Sequence, residues 1–69
     1  MRRYTMSDDG VAALLRIDRG PVLTDVSRRV YRGARELERE GLAERDARER
    51  WKLTMTGKVV VGLMLGARA

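Results

Sequence analysis

The chain has 69 residues, too few for more than one small domain, and it contains neither cysteine nor histidine. That removes disulfides, zinc fingers, thiolate and imidazole nucleophiles and most transition-metal sites, so no metal, cofactor or enzymatic activity is expected. Fifteen basic against ten acidic residues give a net charge of +5 and favour a polyanionic partner, nucleic acid first, with thirteen of the cations being the arginines that suit bidentate contact with phosphate and guanine.

Composition sets further bounds. Hydrophobic residues make up 43% of the chain, but only three are aromatic and none is Phe, which predicts a modest aliphatic core. The longest apolar run, residues 59–65, is far shorter than the ~20 residues a membrane span needs, and no signal-peptide hydrophobic region opens the chain. A soluble cytoplasmic protein is expected. The arginine bias alone does not prove a nucleic-acid role, because a GC-rich genome produces the same bias.

Residues 1–6 read as an N-terminal arm. Ser7 followed by Asp8 and Asp9 marks a helix start, since the Ser oxygen caps free amides and the carboxylates oppose the positive end of the dipole. The spacing puts Val11, Leu14 and Leu15 on one face, and Arg19-Gly20-Pro21 stops the helix near residue 18. Val22-Leu23-Thr24 is a short β-prone piece. Thr24-Asp25 or Ser27 is placed to cap the next helix.

That second helical segment, residues 24–40, is the most informative. At 100° per residue, Val26, Val30, Ala34 and Leu37 share one face while Arg28, Arg32, Arg35 and Arg39 occupy the opposite one. Its N-terminal half carries Arg28, Arg29, Arg32 and Arg35 with no carboxylate between them. A bland account is open too: Arg32 with Glu36, Arg35 with Glu38, and Arg39 with Glu36 are spaced for surface ion pairs worth a few tenths of a kcal/mol. Tyr31 reads as a core-edge aromatic.

Gly41 ends the helix and Leu42 turns back onto the core. Residues 42–46 and 50–53 read as two strands around a polar turn, Asp46-Ala47-Arg48-Glu49, with Leu42, Trp51 and Leu53 on the apolar side. Arg45, Arg48, Arg50 and Lys52 charge this hairpin, offset by Glu44, Asp46 and Glu49. Thr54 or Thr56 caps a last helix, residues 55–67, whose valines and leucines leave almost no polar face. A core of about thirty hydrophobic residues cannot wrap such a helix, so Val59, Val60, Leu63 and Met64 are expected to meet a second copy of the chain. The Gly62-x-x-x-Gly66 spacing is compatible with close helix approach.

Helix, short strand, arginine-faced helix ending in Leu37-Glu38-Arg39-Glu40-Gly41-Leu42, charged hairpin, then Leu53-Thr54-Met55-Thr56-Gly57 opening a final helix: this order resembles small winged helix-turn-helix regulators of the MarR and PadR types over about residues 11–65. The resemblance implies an α+β, mainly α, winged helix-turn-helix fold. Too few residues follow Leu23-Thr24 for a full second helix, so helix 2 is either a single turn or fused to the recognition helix, and the wing, residues 42–53, is short with no glycine at its tip. It further implies sequence-specific binding of double-stranded DNA by a repressor-like homodimer. Arg28, Arg29, Arg32 and Arg35 would act from the recognition helix, and Arg45, Arg48 and Arg50 from the wing. The rival expectations are a winged helix used as a protein–protein adaptor and a basic peripheral or ribosomal binder.

Overall fold

A computed structural model describes the backbone of residues 6–66 and side chains through residue 64. The expected N-terminal arm, apart from Met6, and Ala67 at the end of the last helix lie outside the described residues. Three helices and a two-stranded antiparallel sheet follow in the order α1 (Asp8–Asp18), α2 (Arg28–Arg39), β1 (Ala43–Arg45), β2 (Trp51–Leu53) and α3 (Met55–Gly66). The fold is α+β and mainly helical. No helix among the described residues is long and apolar enough to cross a membrane.

Ser7 caps α1 by accepting a hydrogen bond from the Gly10 amide at 3.1 Å, with Asp8 and Asp9 in the first turn. The helix buries Ala13, Leu14 and Ile17, leaving Val11 half-buried and Leu15 40% exposed. This corrects the expected Val11–Leu14–Leu15 face. The cause lies at Gly33 of α2, where an added Cβ would overlap the Asp9 carbonyl oxygen and press on Ala13. A crossing that close turns the small side of α1 inward and swings Leu15 out.

Ser27 caps α2 through the Val30 amide at 3.4 Å. Residues 24–26, where an abbreviated helix 2 was expected, make only a turn and a bend, and α2 begins at Arg28. Three residues are too few to repay helix nucleation before the Ser27 cap. At the other end Gly41, at φ +76°, lets the Leu42 amide reach the Leu37 carbonyl at 2.9 Å while the Gly41 amide reaches Glu38 at 3.1 Å. That reversal drives Leu42 into the core, where it is fully buried.

The hairpin pairs Ala43 with Leu53, Glu44 with Lys52 and Arg45 with Trp51. Val22 bridges to Trp51 as an isolated antiparallel pair, through bonds of 2.9 and 2.8 Å. Trp51 is thereby buried at the centre of the domain, with Tyr31 edge-on at 5.2 Å between ring centroids. Asp46 shapes the turn: its carboxylate accepts from the Arg48 amide at 2.8 Å and the Arg50 amide at 3.0 Å, and Glu49 takes a positive φ of 57°.

Thr54 opens α3 and also fastens it. Its hydroxyl accepts from the Gly57 amide at 3.0 Å and donates to the Gly41 carbonyl at 2.7 Å, while its own amide donates to Leu42 at 3.0 Å. Gly57 lies so close to the Leu42 carbonyl that a Cβ would overlap it. Val60 and Val61 of α3 complete the core.

Gly33 and Gly62 should respond oppositely to alanine. Gly33→Ala forces the α1–α2 crossing apart and should cost about 1–3 kcal/mol of unfolding free energy. Gly62 has nothing within 4 Å of an added Cβ, so Gly62→Ala should gain about 0.5–1 kcal/mol from helix propensity. Urea denaturation followed by circular dichroism reads both, and equal effects would contradict the close crossing.

Candidate nucleic-acid interface

The exposed side of α2 is the candidate interface, opposite the buried Gly33, Ala34 and Leu37. Arg28, Arg29, Arg32, Arg35 and Arg39 are all exposed. They divide by partnership. Arg29 pairs with Asp9 of α1 at 3.0 Å and Arg35 with Glu38 at 3.4 Å, whereas Arg28, Arg32 and Arg39 have no carboxylate within 4 Å among the described residues.

Glu36 accounts for much of that division. It is spaced to neutralise Arg32 or Arg39, yet its carboxylate turns to α1 and accepts from the Ser7 amide at 3.1 Å and from the Ser7 hydroxyl. The Arg32–Glu36 and Arg39–Glu36 pairs that spacing allowed do not form, and the Arg35–Glu38 pair does. Folding thus takes one acid off the arginine face.

The hairpin arginines divide in the same way. Arg45 is held on Glu38 by Nε at 3.1 Å and Nη2 at 3.3 Å, and its guanidinium lies 5.3 Å from the centre of the Trp51 ring. Arg50 is tied to Asp46 at 2.9 Å. Arg48, exposed at the tip, has no carboxylate partner among the described residues. Lys52 faces Glu44 at 3.9 Å. The structure therefore brings Arg35 and Arg45 together around Glu38, and leaves Arg28, Arg32, Arg39 and Arg48 to solvent.

Burial pushes the Glu38 carboxyl upward, but the hydrogen bond from Arg45 and the charges of Arg45 and Arg35 outweigh it and hold the group below the usual carboxylate range. The Asp46 carboxyl is also held low, chiefly by the Arg50 amide, with the Arg50 side chain and the Arg48 amide adding to it. Among the described residues no cluster of acidic side chains could hold a metal ion.

A second surface is apolar. Met55, Val59 and Leu63, four residues apart on α3, are 78%, 54% and 69% exposed. Of the four residues expected at a contact between copies, Val59, Leu63 and Met64 are exposed and Val60 is buried at 6%. Val60 still lines, with Met6, Val11, Leu63 and Met64, an apolar groove of about 270 Å³ between α1 and α3.

No family model, curated protein or solved structure matches this chain.

Because the fold stabilises the charged forms of Glu38 and Asp46, their contribution is complete above the ordinary carboxylate range and is lost as pH falls through their lowered values. The melting temperature should therefore decline on acidification below about pH 4. Glu38→Gln should lower the neutral-pH melting temperature and flatten that acid limb. An unchanged limb in the variant would remove Glu38 from the account.

Proposed function

We propose that this protein is a sequence-specific double-stranded DNA-binding regulator with a winged-helix layout, α2 serving as its recognition helix and the 42–53 hairpin as its wing. The observation that carries the reading is the face of α2. Arg28, Arg32 and Arg39 stand on it without acidic partners among the described residues, on a helix whose opposite side is fixed in the core. Guanidiniums with no internal duty are suited to phosphate and guanine edges in a major groove. Arg29 and Arg35 flank them, and Arg48 extends the positive surface to the hairpin tip.

The regulator acts as a homodimer through α3. Met55, Val59, Leu63 and Met64 expose an apolar stripe that water disfavours. A two-fold copy brings a second α2 to the same duplex, with half-sites about one helical turn, ~34 Å, apart. Such a dimer represses or recruits by occupying promoter DNA.

Gel shifts with fragments of the protein's own genome at ~150 mM salt test the reading, since non-specific attraction fades there and base readout persists. Arg28→Ala combined with Arg32→Ala should weaken specific binding at least ~10-fold with the helical signal intact. Retention of the shift by that variant, or the absence of any preferred fragment, would sink the proposal and favour an acidic protein partner.

Sedimentation separates the two faces of α3. Leu63→Glu should give a folded monomer, whereas Val60→Glu should not fold, because Val60 is buried. Wild-type protein sedimenting at 7.8 kDa at ~100 μM would rule out the dimer.

A further inference from the structure

Where α2 approaches β1, the side chains of Arg35, Glu38, Arg39 and Arg45 line an open notch of about 320 Å³. Three guanidiniums and one carboxylate give it a formal charge of +2. Glu38 does not simply cancel its neighbours. It approaches Arg35 at Nε, 3.4 Å away, and holds Arg45 by Nε and Nη2, so one carboxylate fixes two guanidiniums on the same side of the notch.

Arg45 is restrained a second time, by the Trp51 ring beneath it. Arg39 contributes a guanidinium without an acidic partner among the described residues. An arginine gripped on its Nε side and stacked on an aromatic has already surrendered most of its rotamer freedom, which is the usual cost of holding an anion. Three guanidiniums line this one open space, and their planar forks suit tetrahedral oxygens.

We propose that this notch is a phosphate-binding site in which Arg35, Arg39 and Arg45 contact the anion and Glu38 is the positioning residue that holds two of them. The inference rests on the DNA-binding reading for its natural ligand, a backbone phosphodiester, and places that contact beside the C-terminal half of α2 and the base of the hairpin. Charge alone and prearrangement predict opposite signs at Glu38. Removing a carboxylate should strengthen anion binding if attraction is all that matters, and weaken it if the carboxylate aims the guanidiniums.

The full chain offers its own reporter, since Trp51 is its one tryptophan and lies under Arg45. Inorganic pyrophosphate is titrated at ~20 mM salt, with Trp51 emission followed, and a 20-base-pair duplex is titrated in parallel under the same conditions. Saturable quenching or enhancement is expected with pyrophosphate, weakened at least ~5-fold in Glu38→Gln and in Arg39→Ala. Arg39 has no ion pair among the described residues, so its variant keeps the test alive if Glu38→Gln does not fold. No saturable response in the wild type, or wild-type affinity in Arg39→Ala, or equal or tighter binding in Glu38→Gln, overturns the notch whatever the duplex does. Pyrophosphate binding that depends on both residues upholds it, and the duplex arm then judges the DNA reading alone.

Discussion

The domain is assembled around the two-residue reversal at Gly41 and Leu42. Gly41 ends α2 in the left-handed region and sends Leu42 into the core, and both of their carbonyls are then taken by Thr54. Gly57 lies against the same Leu42 carbonyl. A single turn thus terminates one helix, starts another and fixes the angle between them. The hairpin is the loop of chain between these two grips, so its strands are brought into register by its ends as well as by the turn at Asp46.

This explains why two short sequence patterns, each unspecific by itself, belong together. Glycine and leucine at 41 and 42 and threonine and glycine at 54 and 57 are the two halves of one contact, twelve or more residues apart in the chain and adjacent in space. Elements whose cause is local were readable in the same way. Ser7 announces its cap, Ser27 is one of two candidates the sequence offers for the next, and the opposition of arginines to Val30, Ala34 and Leu37 in α2 follows from helical period alone. The face of α1 was not readable, because the contact that sets it involves Gly33 and Ala13, which carry little hydrophobic weight. A helix 2 of a single turn, or one fused to the recognition helix, was expected from resemblance, and the three residues before the capping serine make a turn and a bend instead.

The charge map was the least legible part. Spacing within a helix nominates partners for Glu36 and Glu38, yet Glu36 leaves its own helix for Ser7 and Glu38 adds an arginine from the hairpin. Long side chains choose between near neighbours on one helix and distant ones on another only when tertiary packing has placed both. Arg45 illustrates the outcome: read as a DNA-contacting wing residue, it is bound to Glu38 and lies over the Trp51 ring.

Seven arginines of α2 and the hairpin therefore fall into two populations with different histories ahead of them. Those at 29, 35, 45 and 50 are joined to acids of the fold, and altering one disturbs a neighbour. Those at 28, 32 and 39 hang from a helix whose caps, core and glycine contacts are built from other residues. Exchanges at such sites pass with little effect on folding. A lineage carrying this scaffold can change what that face of the helix presents by drifting at three codons, while the glycines at 33, 41 and 57 hold the architecture still beneath it.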